Sequence, residues 1–211
     1  MKANLLGLFV ALGITILMEV HKAGDIAVVP TQTLFTRWIS PKPAIDMLKE
    51  PEMQYMPART RFAWRSSKER MLADPDYSAE RQARYVALRQ RLLQELHKAG
   101  VEILLGSDAP QVFNVPGFSI LHELEDMAKA DLPMDFILKR GTAAPARFFG
   151  QEGQYGTVQK GASADLILLN ANPLDNISNV RKQSGVMVRG KWLSKDFFEK
   201  ELAKIAARHT S

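Results

Sequence analysis

The sequence contains no cysteine and only four histidines among its 211 residues. The absence of cysteine excludes a disulfide framework and a thiolate zinc site, so any metal ion must be bound by histidine, aspartate or glutamate. The chain also lacks the G-x-S-x-G turn of serine-nucleophile hydrolases, the phosphate-binding P-loop and the glycine fingerprint of dinucleotide-binding proteins. The histidines that remain as candidates are His21, His97, His122 and His209.

The basic residues are interspersed with acidic ones. Lys and Arg number 28 against 23 Asp and Glu, which gives a formal net charge of +5. Between Tyr77 and Gly100 both signs occur along an amphipathic helix pattern, which is typical of a solvated helix face. We therefore expect no nucleic-acid partner. The densest basic run, from Arg59 to Arg70, is the best place for a phosphate contact if one exists.

Residues 1–20 are mostly apolar, and three interpretations of this segment stay open. A lysine followed by apolar residues up to Glu19 fits a signal-peptide core or a short membrane anchor. The segment lacks a small-x-small cleavage pattern and is short for a bilayer span, so a buried or interface helix is the third interpretation. We expect membrane contact only through this segment. The location is therefore cytoplasmic, or exported or periplasmic if the segment is a signal.

Helix and strand patterns alternate along the middle of the chain. Residues 26–30 form a β-branched run closed by a proline, which predicts a buried strand. Residues 78–98 predict an amphipathic helix, with Gly100 as its C-terminal stop signal. The apolar run from Val101 to Leu105 then predicts a strand of a parallel sheet covered on both faces. This order indicates an α/β fold.

The last third of the chain predicts a small β appendage. Short strands are expected around Tyr155–Val158 and Ala164–Leu169, followed by a hairpin turn at Arg189–Gly190 and a final helix. The predicted organisation is an apolar N-terminal helix (1–22), a barrel segment (23–150) and a β-sandwich remnant with a C-terminal helix (151–211).

Asp108 directly follows the predicted buried strand, in the stretch VEILLGSDAP. Ligands of α/β layers collect at the carboxyl ends of strands, so this position favours a catalytic carboxylate. Aspartate is equally suited to cap a helix or to stabilise a turn, and that alternative stays open. In the next helix, His122 and Glu125 share a face and can act as a ligand and its partner, or form a simple surface contact.

Three stretches together resemble the C-terminal portion of the amidohydrolase superfamily, in its imidazolonepropionase-like and prolidase-like branch: ILLGSDAP, GTAAPARFFG and GTVQKGASADLILLNANPL. The resemblance extends over roughly residues 23–195. It implies a partial (β/α)₈ TIM barrel, of which the last two βα units are present, and a one- or two-metal centre. By this resemblance Asp108 is the catalytic acid or base that helps to hold the metal-bound water. His122 has a substrate-binding or supporting role.

The sequence departs from the superfamily in lacking its other ligand motifs. The His-x-His pair, the lysine or carboxylate of a middle strand and the two later histidines have no counterparts here. The resemblance places the start of the chain just before the seventh barrel strand, so that apolar strand edges would be uncovered. Because such edges drive association, we expect a homodimer or a higher homo-oligomer.

Self-association would also offer a route to a metal site. Two copies of Asp108 and His122 near a twofold axis would supply ligands for Zn²⁺ or Mn²⁺. The sequence therefore predicts a metal-dependent hydrolase that uses a metal-bound hydroxide on amide, ester, lactone or phosphotriester bonds of a small-molecule substrate. The alternative is a catalytically silent fragment or structural subunit, in which Asp108 has no chemical role.

Overall fold

The computed structural model describes residues 26–209, so the predicted N-terminal helix and His21 lie outside the described residues. Within this range the chain is mixed α/β, as expected. The helices are α1 (Gln32–Trp38), α2 (Ala44–Met47), α3 (Ala58–Ala73), α4 (Ala79–Lys98), α5 (Ser119–Lys129), α6 (Met134–Arg140), α7 (Ala143–Phe148) and α8 (Lys195–Arg208). The strands are β1 (Leu166–Leu169), β2 (Gln183–Val188) and β3 (Lys191–Ser194), and 3-10 helices span Pro51–Tyr55 and Ile177–Arg181.

Residues 26–30 and 101–105 are extended and lie parallel, joined by an isolated bridge between Val28 and Ile103. The amide of Val28 donates to the carbonyl of Glu102 at 2.8 Å, and the carbonyl of Val28 accepts from the amide of Leu104 at 2.9 Å. The two segments thus neighbour each other as the α/β pattern predicts. Within residues 26–209 they form this bridge and not a longer ladder, and the partial barrel stays a prediction.

The main hydrophobic core surrounds Ile103, which is fully buried. Its cluster includes Leu93 and Leu96 of α4, Met127 of α5 and Ile137 of α6. Each such side chain stabilises the fold by about 1.5–3 kcal/mol on burial. The extended segment 101–105 is therefore fixed by helices that follow and precede it in the chain.

Helix α4 confirms the prediction made from its apolar spacing. The hydroxyl of Ser78 caps it by accepting from the amide of Arg81 at 3.2 Å. Gly100 follows its end with a φ of 73°, a left-handed conformation that glycine adopts without a steric penalty. The chain can therefore turn directly into the extended segment that leads to Asp108.

The β unit is a three-stranded antiparallel sheet in the order β1-β2-β3. The predicted hairpin is confirmed, with Arg189 and Gly190 at φ values of 49° and 80°. The strand expected around Tyr155–Val158 is wrong, because turns and bends occupy this stretch. A Cβ on Gly156 would lie 2.5 Å from the carbonyl oxygen of Thr142, so the chain packs closely against the start of α7 there.

None of the helices among residues 26–209 is both long enough and apolar enough to cross a bilayer. The three interpretations of residues 1–20 fall on residues outside this range.

Candidate active site

The Gly-Ser-Asp turn after the extended segment is anchored by contacts of its first two residues. A Cβ on Gly106 would come within 2.5 Å of a methyl carbon of Val29, so the two extended segments approach closely here. The carbonyl of Ser107 accepts a hydrogen bond from the side-chain amide of the buried Asn114. The hydroxyl of Ser107 also lies 2.8 Å from that of Ser119, at the start of α5. The turn is thereby fixed between two structural elements.

Asp108 is exposed at the tip of this turn, with a φ of 54°. Among residues 26–209 its side chain has no hydrogen-bond or ion-pair partner. The next helix, α5, has Phe118 at its N-cap position and no side-chain capping bond. The helix-capping interpretation of Asp108 is therefore not what the structure shows, and the carboxylate is available to solutes.

His122 makes hydrogen bonds through both ring nitrogens. Its Nε2 lies 2.7 Å from Oε1 of Glu52, and its Nδ1 lies 3.1 Å from Nη2 of Arg181. Arginine can only donate, so Nδ1 accepts and Nε2 carries the proton that is donated to Glu52. The carboxylate of Glu125 is 3.7 Å from Nδ1, which is the predicted contact along α5. His122 thus joins α5 to both 3-10 helices.

The partners of His122 are themselves ion-paired. Burial would raise the pKa of Glu52, but the hydrogen bond from His122 and the charge of Arg37 outweigh it and lower the pKa to about 2. Arg181 forms two hydrogen bonds with Glu125, at 2.7 and 3.0 Å, and these hold the pKa of Glu125 below its usual value. Both ring nitrogens of His122 are therefore bonded to charged side chains, and neither is free to bind a metal ion.

The described residues, 26–209, do not make a metal centre by themselves. Among residues 26–209 no group of three or more His, Cys, Asp or Glu side chains could hold a metal ion. His122 does not fit as a ligand, because metal binding would displace Glu52 or Arg181 from its ring. Asp108 fits as one oxygen ligand. No hydrogen bond or ion pair joins the two predicted site residues within the described range.

Two fully buried ionisable residues were missed by the sequence analysis. The first is Glu123, a fully buried residue of α5 whose Oε2 accepts from the amide of Thr33 at 2.7 Å. Its other oxygen, Oε1, has no hydrogen-bond partner within the part of the chain that the structure describes. Burial raises the pKa of Glu123 to about 7, and the charge of Asp126 raises it further. The hydrogen bonds from the amides of α1 lower this pKa but do not outweigh burial.

The second is Lys68 of α3, which is also fully buried. Its ammonium donates to the carbonyls of Arg37, Trp38 and Ser40 at 3.0, 2.6 and 2.6 Å, at the end of α1. Burial, with the nearby charge of Arg37, lowers the pKa of Lys68 to about 8. A sequence signal did exist: Lys68 lies one helical turn after the buried Trp64, and Glu123 one turn before the buried Met127.

Comparison with solved structures shows similarity to larger hydrolases. A bottromycin amidohydrolase matches with a TM-score of 0.67 and 22% identity, over 86% of this chain and 39% of that one. A proposed prolidase from Bifidobacterium longum matches with a TM-score of 0.56 and 21% identity, over 88% and 40%. A prolidase complexed with N-methylphosphonate-L-proline matches with a TM-score of 0.55 and 22% identity, over 86% of this chain and 38% of that one. At these identities the similarity shows the fold.

The chain spans about two fifths of the length of these three structures. A comparison with curated proteins finds no match. The model of the amidohydrolase family matches residues 45–193, which is more than half of the chain and includes Asp108 and His122. The family model and the similar structures confirm the resemblance to amidohydrolases that the Gly-Ser-Asp turn and the segments after it indicated. The protein therefore belongs to the amidohydrolase family.

Proposed function

We propose that the protein is a metal-dependent hydrolase of amidohydrolase type that acts on small molecules with amide, ester, lactone or phosphotriester bonds. The observation that carries the proposal is the exposed carboxylate of Asp108 on an anchored turn, a carboxylate with no partner among residues 26–209. In this proposal the extended segments 26–30 and 101–105 are the last two strands of a partial barrel. Asp108 then lies at the carboxyl end of the final strand, where such folds place their chemistry.

Asp108 would act as the general base and acid of the reaction. A carboxylate without an internal partner can accept a proton from the attacking water and later deliver it to the leaving group. The contacts of Ser107 with Asn114 and Ser119 hold the turn and limit the positions that the carboxylate can take. On this proposal Asp108 is the proton-transfer group that the described residues contribute.

The remaining groups of the site must come from outside the described residues of one copy. A catalytic zinc or manganese ion needs about three protein ligands, and Asp108 supplies one. We propose that a homo-oligomer brings further ligands together, since His122 is held by Glu52 and Arg181. In this proposal His122 has a structural role, because it joins α5 to both 3-10 helices, and other groups contact the substrate.

A catalytically silent member of the family is the second candidate. It is favoured by one observation, the lack of a three-ligand cluster among residues 26–209. On this proposal the protein binds no Zn²⁺ or Mn²⁺, and replacing Asp108 changes no activity.

One set of measurements on the same sample separates the candidates. Mass is measured by light scattering, metal content by elemental analysis, and hydrolysis with an activated ester, an anilide and a phosphotriester after addition of Zn²⁺ or Mn²⁺. We expect an oligomer with bound metal whose hydrolysis falls at least roughly a hundredfold in the Asp108→Asn variant, as is typical for loss of a general base. A wild-type rate equal to that of the variant would overturn the proposal.

Asp131→Asn provides a matched control. Asp131 is also exposed and has a φ of 55°, so this substitution makes the same chemical change in a similar backbone conformation. Its side chain accepts a hydrogen bond from Gln94 at 3.2 Å. Asp131 follows the C-terminal end of α5, whereas the turn of Asp108 contacts the N-terminal end of this helix through Ser119. Hydrolysis by this variant should equal that of the wild type.

A further inference from the structure

We infer that Asn114 is a positioning residue for hydrolysis, because its buried side-chain amide orients the peptide group that leads to Asp108. The inference rests on the proposed function of Asp108 as general base and acid, and it assigns a second residue to that function. It starts from one hydrogen bond, in which Nδ2 of Asn114 donates to the carbonyl oxygen of Ser107. Asn114 is fully buried, whereas Asp108 is exposed.

The hydrogen bond reaches Asp108 through the plane of one peptide group. The carbonyl of Ser107 and the amide nitrogen of Asp108 belong to the same peptide unit, which is planar and rotates as a whole. A donor that holds the carbonyl oxygen therefore also fixes the direction of the nitrogen of Asp108. At the φ of 54° that this residue adopts, its Cβ then leaves the turn in one defined direction. The freedom that remains to the carboxylate is rotation about its side-chain bonds.

Asn114 can act as a fixed support because its own backbone is held from several sides. Its amide donates to the carbonyl of Gln111 at 2.8 Å, which closes a short turn. The residues on either side, Phe113 and Val115, are buried members of one hydrophobic cluster. The side chain of Arg37 also donates to the carbonyl of Phe113 at 2.6 Å. A well-packed part of the chain thus presents the amide of Asn114 to the turn.

The side chain of Asn114 is costly to bury, which argues for a role beyond packing. Its Oδ1 atom is buried and has no hydrogen-bond partner in the part of the chain that the structure describes. A buried carbonyl oxygen without a donor destabilises the folded state, and a leucine of similar size would avoid this cost. The other atom of the amide, Nδ2, holds the peptide that precedes the proposed general base. The use of this donor explains why a polar residue occupies a buried position.

Ser119 also contacts the turn, but through a different atom of Ser107. The hydroxyl of Ser119 lies 2.8 Å from the hydroxyl of Ser107, so this contact restrains a side chain and not the peptide carbonyl. Both Asn114 and Ser119 are buried, with exposures of 0% and 1%. Because only Asn114 bonds to the peptide that carries Asp108, we expect its replacement to affect hydrolysis more than Ser119→Ala does.

The first test is hydrolysis by Asn114→Leu, with the same substrates as for Asp108→Asn. We expect kcat to fall roughly ten- to a hundredfold with little change in KM, since the orientation of a general base matters in the chemical step. Asn179→Leu is the matched control. The side chain of Asn179 also donates to a carbonyl seven residues earlier, that of Asn172, at 2.8 Å. Its replacement removes the same type of bond from another turn and should leave hydrolysis at the wild-type rate.

Asn114→Asp gives a readout that a purely structural role would not change. A protonated carboxyl at this position can donate to the carbonyl of Ser107, whereas an ionised one cannot. Burial raises the pKa of a carboxyl, so this donor should be lost between about pH 5 and about pH 8. The kcat of Asn114→Asp relative to the wild type should therefore fall as the pH rises through this range. The relative kcat of Asn114→Leu should be independent of pH.

NMR of the full chain tests the positioning without a substrate. The amide of Asp108 belongs to the peptide that Asn114 holds, so its ¹⁵N resonance should shift in Asn114→Leu and broaden as the turn exchanges between conformations. Asn179→Leu should leave this resonance unchanged.

Unchanged hydrolysis by folded Asn114→Leu would overturn the inference while leaving the proposed hydrolase in place. An Asp108 resonance that is unchanged in this variant would also overturn it, whatever the rate. A wild type without hydrolysis would remove the proposed function and with it the catalytic part of the inference, and the resonance would still decide whether Asn114 orients the turn. If Asn114→Leu fails to fold, the pH profile of Asn114→Asp decides: a constant ratio to the wild type would overturn the inference.

Discussion

Glu123 and Lys68 lie at opposite ends of the short helix α1 and cap it from distant parts of the chain. The carboxylate accepts from the amide of Thr33 at the start of the helix, and the ammonium donates to the carbonyl of Trp38 at its end. Thr31, at the N-cap position, makes no side-chain capping bond to any described residue. A negative group at the N-terminus and a positive group at the C-terminus match the helix dipole. Packing of α3 and α5 against α1 thus supplies caps that the local sequence lacks.

Replacing Lys68 should destabilise the protein strongly. In Lys68→Met the apolar part of the side chain is retained, but the carbonyls of Arg37, Trp38 and Ser40 lose a buried donor. Unsatisfied buried groups of this kind lower the free energy of unfolding by about 2–4 kcal/mol. The measurement is urea unfolding followed by circular dichroism. Arg70→Met, at an exposed position of the same helix, should change the free energy by less than about 0.5 kcal/mol.

Glu123 should make stability depend on pH in the neutral range. Its pKa is about 7 in the folded protein against an ordinary value of 4.5, so folding favours the protonated form. The stabilisation from this group is therefore complete below pH 4.5 and is lost as the pH rises through 7. Asp126 favours the protonated form as well, whereas Arg89 and the amides of α1 oppose it.

Glu123→Gln tests this directly, because glutamine is similar in shape and does not titrate. Relative to the wild type, the variant should gain up to about 3 kcal/mol in the free energy of unfolding between pH 4.5 and pH 8. Glu69→Gln, with half of its side chain exposed, is the control and should follow the wild-type curve. Parallel curves for Glu123→Gln and the wild type would contradict the assignment.

Local signals predicted the elements that are fixed locally. Ser78 and Gly100 delimit α4, and Arg189–Gly190 form the hairpin turn, because caps and turns are properties of a few adjacent residues. The caps of α1 could not be predicted in this way, since Glu123 lies 90 residues from Thr33. Nor could the sequence distinguish a full strand from the extended segment 101–105. This segment forms an isolated bridge with Val28, and the amide of Leu105 donates to the distant carbonyl of Arg140.

The sequence predicted the positions of single candidate residues along the chain but not their partners in the folded structure. The apolar run before Asp108 was sufficient to predict that this residue directly follows the extended segment 101–105. The role of His122 depends on Glu52 and Arg181, which lie 70 and 59 residues away in the sequence. Whether a histidine has a free ring nitrogen is decided by such distant partners. The spacing of His122 and Glu125 along α5 therefore could not separate a ligand from a member of a charge network.

The bond between His122 and Glu52 should stabilise the protein mainly above acid pH. The pKa of Glu52 is about 2 in the folded state against an ordinary 4.5, so its stabilisation is present above pH 4.5 and lost as the pH falls towards 2. His122→Leu removes the 2.7 Å hydrogen bond and should lower the free energy of unfolding by about 1–3 kcal/mol at pH 6. The deficit should shrink at pH 3.

A double-mutant cycle with Glu52→Gln separates this bond from the packing of the imidazole. If the two residues act through their hydrogen bond, the coupling free energy should be about 1–3 kcal/mol at pH 6. Additive losses would show that His122 stabilises the fold through other contacts. Metal content, measured on the same His122→Leu sample, should equal that of the wild type, because the ring nitrogens are already engaged.

The backbone at Asp108 determines which substitution isolates its chemistry. At a φ of 54° a residue with a plain Cβ is strained by about 1–2 kcal/mol, whereas glycine is not and asparagine tolerates the conformation well. The free energy of unfolding should therefore rank Asp108→Gly highest, Asp108→Asn close to the wild type and Asp108→Ala lowest. Urea unfolding of the three variants checks this order. Equal stability of Asp108→Ala and Asp108→Gly would refute the left-handed conformation at this residue. If the order holds, a loss of hydrolysis in Asp108→Asn is caused by the missing carboxylate and not by a change in the fold.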